Sequence, residues 1–422
     1  MSQRFRMISM VAMTILLLDV VVGSSTGKGT LLFGTAEAQT STSLTRGPYL
    51  QLGTPNSIVV RWRTGAAADS RVIYGLQPGA LTQTASSATS TTNHEVTLQG
   101  LTPATRYYYA VGTSSQILAG GTGGFPFTTS PPAGTARPTR VWVIGDAGTA
   151  SSSQRSVRDA YSRFNQGGRT DLWLMLGDNA YSDGTDGQYQ SAVFSMYPEM
   201  LRTAVVWPTL GNHDAHSADS GTQSGPYYSI FTLPKRGEAG GLASGTEAYY
   251  SFDYGNIHFI CLDSADSNRS TSGAMLKWLQ ADLTATDQNW IIAYWHHPPY
   301  SKGSHNSDSE SELVQMRQNA LPILEQGGVD LVLSGHSHSY ERSFLLDRHY
   351  GSSSSLTSAM KLDGGNGRVD GTGAYEKPSP GPAPHEGAVY VVAGSSGQTG
   401  GGSLNHPAMF VSFNTLGSVA LD

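Results

Sequence analysis

The chain has a single cysteine, Cys261, among 422 residues. One thiol closes no intrachain disulfide, so the fold must be held by packing or by metal, and the apolar flanks of "IHFICLDS" mark Cys261 as a core residue. Charge is scarce too. Only 14% of residues are Asp, Glu, Lys or Arg and the net charge is -6, with a pI near 6.0. Such a chain offers no basic field to a phosphate backbone, which excludes nucleic acid as a partner. Beyond the amino terminus no apolar run approaches the roughly 18 residues of a membrane helix. "AGSSGQ" lacks the Gly-x-Ser-x-Gly spacing of a nucleophile elbow, which excludes a serine hydrolase of that kind. No internal repeat stands out.

What the chain does have is 50 glycines and 20 prolines for turns, and 20 tyrosines and 7 tryptophans for cores. Its length suits about two or three domains. At the start, Arg4 and Arg6 precede an apolar run, and Ala36 and Ala38 are small residues placed for cleavage before Gln39. Residues 1–38 therefore read as an export signal. Asp19 interrupts the run and weakens both that signal and the rival reading of a retained anchor, because charge in mid-bilayer is costly. The mature protein is expected outside the cytoplasm, secreted or periplasmic, with no stable membrane insertion.

From 43 to 130, "NSIVVRWRT", "SRVIYG", "HEVTLQGL" and "RYYYAVGT" are β-branched and aromatic runs cut by Gly, Pro and Asn, as in a small β-sandwich. "LTPATRYYYAV" resembles the late strands of fibronectin type III domains. "TTSPPAGTARPT" then reads as a linker. From 139 onward the pattern changes. "RVWVIGDAG", "DLWLMLGDNAY", "VVWPTLGNHD", "NWIIAYWHHPP" and "VDLVLSGHSH" are continuous apolar runs, as expected of strands buried on both faces. Helical patterns lie between several of them: "SSQRSVRDAYSRF", "GAMLKWLQADLTA" and "SELVQMRQNALPILEQ", the last stopped by Gly327 and Gly328. Strand and helix in alternation give an α/β fold. Residues 346 to 386 read as a long loop, and "GAVYVVAGSSG" as one more strand. "LGSVALD" reads as strand-like at the close of the chain, and whether the natural chain extends past Asp422 is left open.

Each of the five apolar runs ends in a metal-ligand type: Asp146, Asp178, Asn212, His296, and the pair His336 and His338. In open α/β sheets ligands bind at the carboxyl ends of strands, so five separate stretches should converge on one place. Oxygen and nitrogen donors without thiolate suit iron, manganese or zinc rather than a structural Cys site. There are too many donors for one ion. Two ions sharing a carboxylate would clamp a phosphoryl group and generate a hydroxide at mild pH, so phosphate-ester hydrolysis is the natural reaction.

"GDAG", "GDNAY", "GNHD", "HHPPY" and "GHSHSYER" resemble the five ordered motifs of the calcineurin-like metallophosphoesterases, specifically the purple acid phosphatases. The likeness runs from about 139 to 345. Most metallophosphoesterases begin Asp-x-His; here Gly148 holds that third position and Tyr181 in Gly-Asp-x-x-Tyr offsets the missing ligand. Asp214 departs from the family's Glu. The resemblance implies a four-layer α/β/β/α metallophosphoesterase sandwich over 139–422, preceded by the small all-β fibronectin-like sandwich. It implies that Asp146, Tyr181 and His338 hold Fe(3+), that Asn212, His296 and His336 hold a divalent ion (Zn, Mn or Fe), and that Asp178 bridges them. It further implies that His213 contacts phosphate or protonates the leaving oxygen, that His305 contacts substrate, and that Tyr340, Glu341 and Arg342 brace the His336 loop. His297 reads as a supporting residue.

The expected function is an exported acid phosphatase acting on small phosphomonoesters, with oligomeric state left open. A phosphodiesterase or nucleotidase of the same fold is the alternative, because pocket walls decide how many ester groups are accepted. An adhesion protein with a vestigial metal site is the reading from another class, and the intact ligand set argues against it.

Overall fold

The apolar runs that end in Gly and a polar residue become parallel strands. In the computed structural model, which describes residues 42–422, Val141–Ile144, Leu172–Met175 and Val205–Pro208 lie side by side and parallel. Trp290–Trp295 and Leu331–Ser334 are parallel neighbours in a second, seven-stranded sheet. That sheet is extended on one side by Ile257–Cys261 and Tyr250–Tyr254, and on the other by Val389–Ala393, Tyr340–Ser343 and Met409–Phe413. The expected export segment, 1–38, lies outside the described residues. Among the described residues no helix is long and apolar enough to cross a membrane.

Two-residue periodicity sorts the second sheet's side chains onto two faces. Ile292 and Tyr294 point into the core between the sheets, while Ile291, Ala293 and Trp295 join a separate core with the helices Ala274–Ala285 and Leu321–Gln326. The sheets meet through aromatic contact: Trp207 of the first stacks on Phe252 of the second at 3.9 Å. On the first sheet's other side the helix Ser152–Asn165 packs Tyr161 on Trp142 at 4.4 Å. Helix, sheet, sheet, helix is the four-layer arrangement the motifs imply. Cys261 is buried between the sheets, and burial pushes its thiol up to about 12, so it is an inert core residue.

Two details depart from the sequence reading. "SELVQMRQNALPILEQ" is not one regular helix but Ser311–Gln315, a wider turn over Met316–Ala320, and Leu321–Gln326. Pro322 explains the break, since it has no N–H for the ladder of a continuous helix. The expected strands at 56–64 and 70–75 are one strand, Ile58–Gly75, with register shifts between Arg63 and Ser70.

The amino-terminal strands join the first sheet directly. Leu44–Gln51 pairs in parallel with Val205–Pro208 through Leu50 and Val205, bringing that sheet to ten strands. Buried Arg46 reaches across to Asp186 (2.8 Å) and Gln190 (2.9 Å) and covers the Phe194 ring at 3.9 Å. Residues 129–140 carry no regular element, yet 42–422 cluster as one compact unit.

The hairpin of the second sheet is tied to its covering helix by one charged triad. Buried His258 lies between Asp253 (2.8 Å) and Asp282 (2.9 Å), and Asp282 also accepts the Ser251 hydroxyl (2.7 Å) and the Leu242 amide (2.8 Å). Burial works against charging the imidazole, but the two carboxylates outweigh it and hold His258 up at about 9. The folded value is raised above the unfolded one, about 6.5. Its contribution is therefore fully present below about pH 6.5 and is lost as pH rises through about 9. We expect His258→Gln to cost about 3–5 kcal/mol by removing the positive charge that balances buried Asp282 and half-buried Asp253. In urea melts the gap between wild type and variant should narrow from about pH 6.5 to 9; a gap independent of pH would show that the imidazole is neutral throughout.

Candidate metal centre

Because the three strands of the first sheet and two of the second run parallel, their carboxyl ends open on one rim of the sandwich. Asp146 follows Val141–Ile144, Asp178 follows Leu172–Met175 and Asn212 follows Val205–Pro208, while His296 follows Trp290–Trp295 and His336 and His338 follow Leu331–Ser334. The chain turns sharply at these ends: Asp146, Asp178 and His336 have φ of 54, 51 and 64°, a left-handed conformation that L residues adopt only under constraint. The glycine before a ligand is a steric requirement. A Cβ on Gly177 (φ 88°) would stand 2.6 Å from His296 Nδ1, and one on Gly335 would stand 2.5 Å from Asp146 Oδ2. This is why the motifs read Gly-Asp and Gly-His: the turns are packed against one another's ligands.

The donors fall into two neighbouring groups. In the first, Asn212 Oδ1 is 2.9 Å from His296 Nε2 and 3.0 Å from His336 Nδ1, and the two nitrogens are 3.2 Å apart. In the second, Tyr181 Oη is 3.2 Å from both Asp146 Oδ1 and His338 Nε2, which are 3.6 Å from each other. Asp178 lies between the groups. Its Oδ1 is 3.4 Å from His296 Nε2, and Asp146, Asp178 and His296 offer donor atoms that all lie within 4.8 Å of one another. The Leu176 carbonyl accepts the Nδ1–H of His296 at 2.8 Å, which leaves the Nε2 lone pair facing the cluster.

Electrostatically the cluster is short of positive charge. Asp146 and Asp178 are buried, and their ion-pair partners among the described residues are histidines, with no Lys or Arg. Burial, together with the carboxylates of Asp146 and Asp178, raises the Tyr181 phenol far above its usual value. Burial likewise lowers His336 to about 4, so that ring is neutral at mild pH. Carboxylates, a phenol, an amide oxygen and imidazoles turned inward form a donor set that suits hard or borderline cations. Metal could be held by Asn212, His296, His336 and Asp178 on one side and by Asp146, Tyr181, His338 and Asp178 on the other.

The remaining candidates surround this cluster. His213 donates its backbone N–H to Asp178 Oδ1 (3.0 Å) and its Nδ1–H to the Ser182 carbonyl (2.6 Å), leaving Nε2 3.9 Å from Asp178 Oδ2 in a partly exposed position. The His305 ring lies 3.7 Å from that of His336 at the open side. His297 is buried under His336, 4.3 Å ring to ring, with Nδ1 2.9 Å from the Ser264 hydroxyl. Asp214 stays outside the cluster but clamps its turns, accepting the Asn179 amide group (2.9 Å), the Gly211 N–H (3.0 Å) and the Tyr189 hydroxyl (2.7 Å). Of the three residues expected to brace the His336 loop, only Glu341 does so, accepting the hydroxyls of Ser301 (2.5 Å) and Ser339 (3.0 Å). Tyr340 packs on Phe413, and Arg342 donates to the Asn366 carbonyl instead, because consecutive strand residues point to opposite faces. Sequence reasoning missed Glu310, whose Oε2 is 2.7 Å from His305 Nδ1 and 3.4 Å from His336 Nε2. Nothing in "SDSESE" distinguishes that acid from its neighbours.

Comparison with known proteins fits this geometry. Residues 139–340 match the calcineurin-like phosphoesterase family, and residues 45–129 match the purple acid phosphatase N-terminal domain. Purple acid phosphatase 23 of Arabidopsis thaliana is 29% identical over 352 residues, covering 69% of this chain and 73% of its own. Acid phosphatase type 7 of Homo sapiens is 28% identical over 320 residues, covering 69% and 68%. A purple acid phosphatase from yellow lupin seeds superposes with a TM-score of 0.62 at 18% identity, over 89% of this chain and 70% of that one, which establishes the shared fold. With both family matches in register, the motif turns on one rim and the four-layer fold, the chain belongs to the purple acid phosphatases of the calcineurin-like phosphoesterase superfamily.

Proposed function

We propose that Asp146, Tyr181 and His338 hold Fe(3+), that Asn212, His296 and His336 hold a divalent ion, that Asp178 bridges the two, and that the site hydrolyses phosphomonoesters. One observation carries the reading: three donor atoms, Asn212 Oδ1, His296 Nε2 and His336 Nδ1, converge within 3.2 Å of one another beside buried carboxylates that have no Lys or Arg partner among the described residues. Two anionic groups beside the phenol of Tyr181 favour the trivalent ion, and the neutral amide and imidazoles favour the divalent one. When bound, the ions supply Lewis-acid charge for the phosphoryl oxygens and make water a nucleophile at mild pH.

The chain's own residues do the rest. His213, anchored at Nδ1 by the Ser182 carbonyl, directs Nε2 toward the site, where its doubly protonated form can donate to a phosphoryl oxygen or pass the Nε2 proton to the leaving oxygen. His305 stands at the open side and contacts the substrate's phosphate. Residues 1–38 serve as a cleaved export signal that delivers the enzyme outside the cytoplasm.

Three measurements test this. Hydrolysis of p-nitrophenyl phosphate should show a higher kcat/KM than hydrolysis of the matching diester, and a preference for the diester would make the protein a phosphodiesterase. Asp178→Ala should lose both metals, whereas His213→Ala should keep them and lose activity by about 10²–10⁴-fold; equal metal loss in the two variants would reverse their roles. Finally, a phenolate on Fe(3+) absorbs visible light by charge transfer, so iron-loaded protein should be pink to purple. Tyr181→Phe should abolish the band while keeping the fold, since the ring can still pack; a variant that retains the colour would falsify the tyrosinate assignment.

A further inference from the structure

Glu310 has a side chain placed where its local structure does not call for it. It is the N-cap residue of the short helix Ser311–Gln315, yet it makes no capping bond. Its carboxylate turns back instead: Oε1 accepts the Asn306 N–H at 2.6 Å, and Oε2 lies 2.7 Å from His305 Nδ1 and 3.4 Å from His336 Nε2. The loop that carries both His305 and Glu310 is fixed from behind. Buried Arg317 donates to the carbonyls of Pro299 (3.0 Å) and Ser307 (2.5 Å), and Asp308 accepts the Ser353 N–H (2.7 Å).

From this geometry we infer that Glu310 is a positioning residue that couples the substrate side of the site to the divalent-ion side through one shared carboxylate oxygen. The inference rests on the metal-centre reading proposed above. A carboxylate only accepts hydrogen bonds, so Oε2 requires a proton on His336 Nε2 and another on His305 Nδ1. A neutral His336 protonated at Nε2 has its lone pair on Nδ1, the nitrogen that faces Asn212 Oδ1 and His296 Nε2. Without Glu310 the proton is free to move to Nδ1, where Asn212 Oδ1 would accept it and the donor set would close on itself. The same oxygen holds the His305 ring against His336, 3.7 Å between centroids, and so sets the distance between phosphate contact and divalent ion.

Glutamine is the discriminating substitution. Glu310 meets three N–H donors with two acceptor oxygens, whereas an amide has one acceptor oxygen and presents its own N–H groups to whatever remains. The experiment uses purified, metal-loaded enzyme dialysed against zinc buffers of graded free Zn(2+), with zinc and iron counted on each sample, followed by the KM for p-nitrophenyl phosphate at saturating zinc. Losing a partner of a metal-ligating imidazole weakens metal binding by about 10–100-fold, so Glu310→Gln should need that much more free Zn(2+) for half-occupancy. Its KM should also rise, by about tenfold, the loss of one charge-assisted hydrogen bond. His305→Ala should raise KM alike and leave zinc retention unchanged, which separates the two arms of the carboxylate. Glu310→Asp, which keeps the charge but is one methylene shorter, should show the same zinc defect and serves as the second variant if the glutamine protein melts early.

Wild-type zinc retention and KM in Glu310→Gln overturn the inference alone. So does a Glu310→Gln protein that matches His305→Ala in every respect, because Glu310 would then act on His305 only. Wild-type enzyme that retains no divalent ion at any free Zn(2+) overturns the metal-centre reading itself.

Discussion

The structure depends on a shortage of positive charge at one place. Buried Asp146 and Asp178, the Tyr181 phenol and inward-facing imidazoles crowd onto one rim of the sandwich with no Lys or Arg among the described residues to balance them. Bringing carboxylates out of water and close together is costly unless a cation joins them. The fold accepts that cost at the end of its most rigid elements. Five short strands, nearly every side chain of them buried, fix the turns that carry the ligands, and the glycines at 177 and 335 let those turns approach closely enough for the donors to meet.

Around that rim the molecule is organised as support. Asp214 gathers the Asn179 and Gly211 turns, and Glu341 ties the Ser301 loop to Ser339. Both are buried acids that spend their lone pairs on neighbouring loops rather than on the cluster. The shorter Asp at 214, where the family usually has Glu, therefore bears on loop placement and leaves the donor set untouched. The amino-terminal strands are part of the same support. They hydrogen-bond to the strand that ends in Asn212, and Arg46 locks them to the segment around Gln190, so a disturbance there reaches the site through one continuous sheet.

Much of the fold was legible because burial on both faces leaves a local mark. A parallel strand covered by helices on one side and by another sheet on the other has no polar face, so its sequence is an unbroken apolar run that stops where the chain reaches the rim. The ligand types at those stops were readable for the same reason. Elements whose shape depends on partners were less so. The break at Met316–Ala320 and the merging of two strands into Ile58–Gly75 turn on a ladder bond lost at Pro322 and on pairing across Arg63 to Ser70, neither of which a run of hydrophobicity records.

The sequence by itself therefore determined the kind of protein: a stabilising core without disulfides, an α/β sandwich, an ordered series of oxygen and nitrogen donors, and no basic surface for nucleic acid. Those are properties of residue type and local order. Only the tertiary structure decided which residues act together, because that depends on distances between segments far apart in the chain. It turned Glu310 away from its own helix to His305 and His336, assigned the bracing to Glu341 rather than to Tyr340 or Arg342, and buried His297 beneath His336. It also gave His296 and His336 their directions, since the carbonyl or carboxylate behind one ring nitrogen selects the nitrogen that faces the cluster, and those acceptors come from other strands and loops.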